Sequence, residues 1–227
     1  MLPIQDFASK INLKFNDISL LELALIHRSH INENKDRAHN ERLEFLGDAV
    51  LELVVTEFLY NKFPEKPEGD LTSQRSALVK GNHLAQVARR IEVGEYLCMS
   101  RGEERGGGRD KDYLLANALE AIIGAIYLDQ GYANAQTFIS KYILVDIDEI
   151  LAKNLHIDAK SYFQECAQEK MSITPVYKLM DENGPDHEKN FTMGAYLGEQ
   201  FVASGKGSSK QSAEQEAAKS AILKMQW

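Results

Sequence analysis

The segment YLLANALEAIIGAIYLD constrains the fold most, because it is almost wholly apolar from Leu114 to Leu128. Its apolar residues recur at three- and four-residue intervals, which is typical of a helix buried on most of its surface. The polar interruptions are Asn117 and Glu120, which are spaced i and i+3 and therefore lie on one helix face. A charged residue in a buried helix needs a partner or a metal ion, so this face needs an explanation.

The segment NERLEFLGDAVLEL has a similar construction. Glu41, Glu44 and Asp48 are spaced i, i+3 and i+7, which places three carboxylates on one face of a helix that is otherwise rich in apolar residues. Carboxylates at such spacing repel each other and weaken the helix. A hard divalent cation such as Mg²⁺, which prefers oxygen ligands, would offset that repulsion.

Both polar faces have two interpretations when they are judged from spacing alone. The acidic face of the first helix is either an ordinary solvated surface or the edge of a cleft that holds a cation. Glu120 either forms an ion pair with an arginine such as Arg42 or Arg75, or it faces the first helix and completes an oxygen-rich metal site.

Periodicity divides the chain into two regions. Residues 1–152 are predicted to form an all-α domain, within which the glycine-rich segment RGEERGGGRDKD is predicted to be a mobile, solvated loop. After a linker at 153–157, residues 158–227 are predicted to form a small α+β domain of order α-β-β-β-α. Its strands are predicted in TPVYKLMDE, NFTMGAYLG and EQFVASGKG, between the helices SYFQECAQEKM and SSKQSAEQEAAKSAILKM.

Bulk composition is less informative. The net charge of −8 does not favour a nucleic-acid binder, but clustered metal-binding carboxylates would also make the total negative. Cys98 and Cys166 lie far apart in the sequence, which indicates free thiols in a reducing compartment. We find neither a signal peptide nor an apolar run of about 20 residues, so we expect a cytoplasmic protein with no membrane partner.

With these segments in view, NERLEFLGDAVL resembles the signature of the ribonuclease III family, a highly specific match. EGDLT, GNHLAQVARRI, the glycine-rich segment and LANALEAIIGAIYLD follow in the family's order. The C-terminal region resembles a double-stranded RNA-binding domain through GPDHEKNF and GKGSSKQSAEQEAA. The resemblance extends over the whole chain.

The resemblance implies an all-helical catalytic domain that forms a homodimer, with two active centres in a long valley. It also implies an endoribonuclease that cleaves double-stranded RNA by metal-assisted phosphodiester hydrolysis. The products would carry 5′-phosphate and 3′-hydroxyl ends with short 3′ overhangs, and the substrates would be rRNA and mRNA precursors. Mg²⁺ would be the cofactor, Mn²⁺ a substitute, and no organic cofactor would be needed.

The resemblance also assigns roles to individual positions. Asp48 and Glu120 would be the most critical catalytic residues, within a metal-binding set formed by Glu44, Asp48, Asn117 and Glu120. Two further acidic residues, Glu41 and Glu68, match positions that line the valley, and Phe45 matches an aromatic that inserts into the partner subunit. The family's usual residue at position 117 is aspartate, so asparagine there predicts weaker metal affinity.

In the C-terminal domain, the residues expected to contact RNA come from three elements. Proteins recognise A-form RNA through 2′-hydroxyls and phosphates, and a helix N-terminus favours a phosphate. The predicted contacts are Gln164 and Gln168 on the first helix, His187 in the GPDH turn, and Ser208, Ser209 and Lys210 at the start of the last helix. From residue 157 onward the chain has 8 Lys, no Arg and 10 Asp plus Glu, so we expect weak, salt-sensitive binding.

Three alternatives compete with a metal-dependent nuclease. The first is a double-stranded RNA-binding protein whose nuclease site is weak or inactive, which the asparagine and the thin basic patch favour. The second is a purely structural helical dimer, which leaves the spacing of the polar residues unexplained. The third is a histidine-type nuclease, but the histidines show no paired catalytic pattern and are predicted to be surface or capping residues: His27, His30, His39 and His83.

Overall fold

The structure is a computed structural model that describes residues 3–32, 38–152, 158–185 and 189–227. It divides into two compact units, Met1–His156 and Ile157–Trp227. The predicted linker at 153–157 lies outside the described residues. The domain bounds of 1–152 and 158–227 therefore stay a prediction, although they are close to the division between the units.

The described residues of the first unit are mostly helical, with short loops and an isolated parallel β-bridge between Ile26 and Cys98. Short 3₁₀ turns accompany the helices at Arg28–Asn32, Gly108–Asp110 and Leu144–Asp146. The α-helices are α1 (Ile4–Lys10), α2 (Ile18–Ala24), α3 (Glu41–Lys62), α4 (Glu68–Val79), α5 (Gly81–Arg90), α6 (Val93–Tyr96), α7 (Arg101–Arg105), α8 (Asp112–Tyr142) and α9 (Ile147–Ala152).

Helices α3 and α8 form the centre of the first unit, because both contribute fully buried apolar residues to a single core. Leu51, Val54 and Val55 of α3 are completely buried, as are Leu119 and Ile122 of α8. Helix α8 breaks at residue 131, a glycine with φ of 78°, which a side chain would disfavour. The apolar periodicity of both segments therefore predicted the two helices around which the unit is built.

The glycine-rich segment is not the unstructured loop that its composition predicts. Helix α7 begins after Ser100, whose side chain accepts a hydrogen bond from the backbone N–H of Glu103, and a 3₁₀ turn follows at Gly108–Asp110. Ion pairs join Lys111 to Glu103 at 2.6 Å and Arg109 to Glu104 at 2.8 Å. The prediction failed because these pairs and the cap stabilise a segment whose composition is typical of a loop.

The second unit has the predicted α-β-β-β-α order. It consists of α10 (Ala159–Met171), β1 (Pro175–Asn183), β2 (Asn190–Leu197), β3 (Gln200–Gly207) and α11 (Lys210–Met225). The strands form an antiparallel sheet of order β1-β2-β3.

Small residues allow the last helix of the second unit to lie close to the sheet. A Cβ added at Gly205 of β3 would lie 2.1 Å from the backbone nitrogen of Ala217. Ala213, Ala217 and Ala221 of α11 are fully buried. The predicted fold class, an all-α domain followed by a small α+β domain, is confirmed.

Candidate active site

The backbones of α3 and α8 touch where the two helices cross. A Cβ added at Gly47 of α3 would lie 1.7 Å from the carbonyl oxygen of Glu120, and one added at Gly124 of α8 would lie 2.2 Å from that of Leu43. Real side-chain atoms cannot approach so closely, so only glycine allows this contact. The crossing brings the acidic face of α3 against the polar face of α8.

Glu44, Asp48, Asn117 and Glu120 come together at this crossing. Burial raises the pKa of Glu120 to about 7, and the charges of Asp48 and Glu44 add to that increase. The pKa of Glu44 is also raised, mainly by burial and then by the charge of Glu41, with a smaller contribution from Asp48. The amide of Asn117, a hydrogen-bond donor, opposes this rise. These mutual effects place the four predicted metal-binding residues in one electrostatic cluster.

Among the described residues, Glu120 forms no ion pair with an arginine, neither with Arg42 nor with Arg75. Arg75 lies 3.1 Å from Glu52 and also donates to the hydroxyl of Thr56. No basic side chain of the described residues contributes to the pKa of Glu120. In this part of the chain, the polar faces of α3 and α8 thus form a partly buried carboxylate cluster in which Glu120 has no cationic partner.

The donor set suits a divalent cation of the magnesium type, because three carboxylates and one amide supply only hard oxygen ligands. Within the part of the chain that the structure describes, no group of three or more His, Cys, Asp or Glu side chains is already arranged to hold a metal ion. Mg²⁺ usually keeps several waters and binds through one or two carboxylates together with substrate phosphates, so it does not require such a group. The donor chemistry of the cluster is therefore compatible with a divalent cation, and a metal at this place stays a prediction.

Glu41 is different from the other acidic residues of α3, because it has basic neighbours. Arg28 lies 3.3 Å from its carboxylate and His39 lies 3.6 Å away. Glu41, Glu44 and Asn117 also line a pocket of about 200 Å³ beside the crossing, together with side chains from other parts of the first unit. Glu41 thus borders the cluster but has basic partners, and its predicted place in the valley stays a prediction.

Glu68 begins α4 and accepts a hydrogen bond of 2.8 Å from the hydroxyl of Thr72. None of the contacts among the described residues joins it to Glu44, Asp48 or Glu120. Within one copy of the chain, Glu68 is therefore separate from the cluster, and its role in the valley stays a prediction.

Phe45 is 80% exposed although it lies in the middle of an apolar sequence. Leu53 and Tyr60, which follow it on the same broad face of α3, are 57% and 72% exposed. Large apolar side chains exposed together on one helix are typical of a surface that another protein chain covers.

In the second unit, Gln164 and Gln168 are exposed on α10, each next in sequence to a buried residue, Phe163 or Ala167. Ser208, Ser209 and Lys210 are also exposed, at the start of α11. The hydroxyl of Ser209 accepts a hydrogen bond from the backbone of Ser212 and so caps the helix. His187 lies outside the described residues, so its predicted RNA contact is untested.

Comparison with known proteins identifies both units. Residues 17–147 match the family described as ribonuclease-III-like, and residues 159–225 match the double-stranded RNA binding motif. Ribonuclease 3 of Borreliella afzelii is 43% identical over 98% of this chain and 91% of its own length. Ribonuclease 3 of Desulfotalea psychrophila is 45% identical over 97% of this chain and 92% of its own length.

The chain belongs to the ribonuclease III family. The solved nuclease domain of ribonuclease III from Campylobacter jejuni, described for flexibility in a region involved in dimer formation, matches with a TM-score of 0.59 at 44% identity. That match covers 62% of this chain and 96% of the other. Membership in this family confirms the predicted enzyme class, a double-strand-specific endoribonuclease. The roles of the individual site residues stay predictions.

We did not predict from the sequence the two glycines that allow the carboxylate cluster to come together. Gly47 directly precedes Asp48, and Gly124 follows Glu120 by one helical turn, so both lie inside otherwise apolar helical segments. An isolated glycine in such a segment usually has a packing reason, and this was the available signal. We also did not predict that His27, Arg28 and Tyr113 line the pocket beside the cluster.

Proposed function

We propose that this chain cuts double-stranded RNA by metal-assisted phosphodiester hydrolysis, leaving 5′-phosphate and 3′-hydroxyl ends with short 3′ overhangs. The observation that carries the proposal is the carboxylate cluster at the α3–α8 crossing, which has no basic partner among the described residues. It occurs in a chain that also has a double-stranded RNA-binding motif. A divalent cation and a phosphate backbone would together satisfy such a site.

Glu44, Asp48, Asn117 and Glu120 would hold Mg²⁺, for which Mn²⁺ could substitute, and no organic cofactor is needed. A bound divalent cation supplies a water of lowered pKa and neutralises the charge that develops on the phosphate. Asp48 and Glu120 are the most critical for catalysis in this proposal. Because its pKa is raised to about 7, Glu120 binds a proton more readily near neutral pH than an ordinary glutamate does. Glu120 must release this proton when it becomes a ligand, so metal binding should weaken as the pH falls.

Asn117 brings an amide where the family's usual residue is aspartate. Its oxygen can bind a cation or orient a water, while its N–H group faces the carboxylate of Glu44. The cluster then has three carboxylates and no fourth negative charge, which lowers its attraction for a cation. We propose that this site works at higher Mg²⁺ concentration than one with aspartate.

The working unit in this proposal is a homodimer. The exposed stripe of Phe45, Leu53 and Tyr60 supplies an apolar surface for a second copy, with Phe45 inserting into the partner. Glu41 and Glu68 would line the valley between the two active centres, one for each RNA strand.

The second unit would hold the duplex by its shape. In this proposal, Gln164 and Gln168 would contact one minor groove, and His187 would contact a second one. Ser208, Ser209 and Lys210 would contact a phosphate at the start of α11, where the helix dipole favours an anion, although the cap already uses the backbone N–H groups of Ser209 and Ser212. The net charge of −2 from residue 157 onward predicts weak, strongly salt-sensitive binding by this unit.

We further propose that the enzyme processes rRNA and mRNA in the cytoplasm. Neither Cys98 nor Cys166 forms a disulfide, which suits a reducing compartment. No helix in the described part of the chain is long and apolar enough to span a membrane.

An alternative is that the chain binds double-stranded RNA while its nuclease site is weak or inactive. The observation in its favour is Asn117, which removes one negative charge from the metal site. Incubation of the purified protein with long duplex RNA, with and without Mg²⁺, separates the two functions directly.

The proposal predicts that wild-type protein shortens duplex RNA only when divalent metal is present. Glu120→Gln should reduce the cleavage rate by at least about 1,000-fold, because it removes a ligand and a charge from the metal site. Duplex binding, measured by fluorescence anisotropy in the absence of metal, should stay within about twofold of wild type. Cleavage by the variant at the wild-type rate in saturating Mg²⁺ would show that Glu120 has no catalytic role.

A further inference from the structure

The pocket beside the carboxylate cluster is lined in part by polar side chains that the proposed metal chemistry does not use. Glu44 and Asn117 form the side that it shares with the cluster, and His27, Arg28 and Tyr113 line other parts of it. Leu97 and Leu114 add apolar surface. Such a combination of apolar surface and a few converging polar groups is typical of a small-ligand subsite.

The side chain of His27 is held in one orientation. Its Nδ1 accepts a hydrogen bond of 3.3 Å from the backbone N–H of Ser29 and lies 2.9 Å from the Ser29 hydroxyl oxygen. That oxygen accepts a hydrogen bond of 3.0 Å from the backbone N–H of Ser100, so the hydroxyl proton can point to the ring. The backbone N–H of His27 donates to the carbonyl of Cys98 at 2.9 Å.

This bonding also determines the proton position on the ring. Because a backbone N–H can only donate, the bond from Ser29 assigns the acceptor role to Nδ1 of His27 and the proton of the neutral ring to Nε2. Burial lowers the pKa of His27 and therefore favours this neutral form. With this assignment, His27 is an uncharged N–H donor in the lining of the pocket.

The charges around the pocket disfavour a phosphate as its occupant. A phosphate is anionic and can only accept hydrogen bonds, yet the carboxylate of Glu41, which is outside the proposed metal-binding set, lines the pocket. Arg28 lies 3.3 Å from Glu41, so this carboxylate competes with a phosphate for the guanidinium. A hydroxyl group fits better, because it can accept from an N–H donor and donate to a carboxylate or amide oxygen.

We propose that this pocket binds the ribose of a nucleotide next to the cleaved phosphodiester, with Nε2 of His27 donating to the 2′-hydroxyl. The inference rests on the proposed function, since it takes the adjoining cluster as the place of cleavage. The 2′-hydroxyl is the group that distinguishes RNA from DNA. His27 is therefore a specificity-determining residue, and the pocket restricts cleavage to strands that carry ribose at this position.

Two substitutions separate this role from a structural one. His27→Asn keeps an acceptor at the Nδ1 position, so it can still bond the Ser29 N–H two residues ahead, but it lacks the Nε2 donor. His27→Gln can place an N–H near the Nε2 position but loses the acceptor for Ser29. His83→Asn is a matched control, because His83 lies 3.6 Å from Asp146 and lines no part of this pocket.

The experiment compares duplexes that carry one 2′-deoxynucleotide at each position near the cleavage site. For wild type and His83→Asn, we expect deoxy substitution at one adjacent position to lower kcat/KM about tenfold, the effect of one hydrogen bond. His27→Asn should be about tenfold slower on all-ribose RNA and insensitive to deoxy substitution at that position, with an unchanged melting temperature. His27→Gln should recover much of the rate.

The opposite results would overturn the inference. Additive losses from His27→Asn and the deoxynucleotide would mean that the two groups do not interact. Faster cleavage by His27→Asn than by His27→Gln would assign the ring a structural role in the turn. Coupling of His27 to a methylphosphonate and not to a deoxynucleotide would identify a phosphate contact. If wild type does not cleave all-ribose duplex, the proposed function itself is wrong, and the pocket assignment falls with it.

Discussion

Two acidic regions of the first unit differ in how their charges are balanced. In the segment 101–112, Glu103 pairs with Lys111, Glu104 with Arg109, and Arg89 lies 2.7 Å from Asp110 and 2.6 Å from Asp112. At the α3–α8 crossing, Glu44, Asp48 and Glu120 have no such partners among the described residues. The hydrogen bond from Lys111 lowers the pKa of Glu103. Burial and the neighbouring carboxylates raise the pKa of Glu120 to about 7.

This difference distinguishes carboxylates that stabilise the local fold from carboxylates that can bind an external cation. The carboxylates of the segment 101–112 are satisfied by the protein, so they stabilise a local fold and need nothing further. Those at the crossing are costly to keep together, and among the described residues the amide of Asn117 is what lowers the pKa of Glu44. Perturbed acidic groups that lack protein partners are typical of sites that bind an external cation.

The largest expected effect comes from forcing α3 and α8 apart. Gly47→Ala places a Cβ where the carbonyl oxygen of Glu120 lies, so we expect a loss of about 2–3 kcal/mol in the free energy of unfolding. A shift of the carboxylates by about 1 Å should also reduce cleavage about 100-fold. Chemical denaturation and a cleavage assay measure the two effects.

Gly69→Ala is the matched control for this substitution, because a Cβ added there has nothing within 4 Å. Gly69 lies in the first turn of α4, where alanine should be neutral or stabilising by up to about 1 kcal/mol. If Gly47→Ala were as stable and as active as Gly69→Ala, the close crossing would not be what assembles the cluster.

The next effect concerns how the free energy of unfolding depends on pH, which Glu120→Gln should change. The folded pKa of Glu120 is raised, so the folded state binds more protons than the unfolded state between about pH 4.5 and 7. In the absence of metal, wild-type stability should therefore fall as the pH rises through this range. Glu120→Gln avoids that loss and should be more stable by roughly 1–3 kcal/mol at pH 8, with little difference at pH 4.5. Equal stability at pH 8 would contradict the raised pKa.

A substitution of intermediate effect adds a charge to the cluster. Asn117→Asp should lower the Mg²⁺ concentration needed for half-maximal cleavage roughly tenfold, because a fourth carboxylate strengthens the attraction for the cation. A titration of cleavage rate against Mg²⁺ measures this value. An unchanged or raised requirement would mean that residue 117 does not contact the cation.

The smallest effect should come from the segment 101–112, whose acidic side chains are paired with basic ones. The stability that Glu103 contributes there should depend on pH in the opposite sense to that of Glu120. Because the folded pKa of Glu103 is lowered, its stabilising effect is present above pH 4.5 and is lost as the pH falls. Glu103→Gln should lower the melting temperature at pH 7 by less than about 2 °C, as for other surface ion pairs, and by less at pH 3. If Glu103→Gln were more stable than wild type at pH 7, the ion pairs of the segment 101–112 would not stabilise the fold. The proposed difference between this segment and the α3–α8 crossing would then be wrong.

The sequence was sufficient to predict the helices that carry the cluster, because the apolar periodicity of α3 and α8 leaves few positions for polar side chains. It also predicted which polar residues share a face. It did not predict that the faces meet at Gly47 and Gly124, because backbone contact between distant helices has no local pattern. Only the folded structure rules out Arg75 as a partner of Glu120.

Two further features depend on tertiary contacts. The segment 101–112 has the composition of a loop, and its helix depends on Ser100 as a cap and on ion pairs such as that between Lys111 and Glu103. His27 was predicted to be a surface or capping residue, and it does accept from the backbone of Ser29. Its place in the pocket depends on Asn117 and Glu44, which are far away in the sequence.

The central claim is that the carboxylates at the α3–α8 crossing lack a cation that Mg²⁺ supplies. It is tested most directly by the melting temperature of wild type, Glu120→Gln and Glu103→Gln at pH 8, measured as Mg²⁺ is added without RNA. We predict that Mg²⁺ raises the melting temperature of wild type and Glu103→Gln equally, since a ligand that binds the folded state stabilises it. Glu120→Gln should show a much smaller rise. An equal rise in all three proteins would contradict the claim.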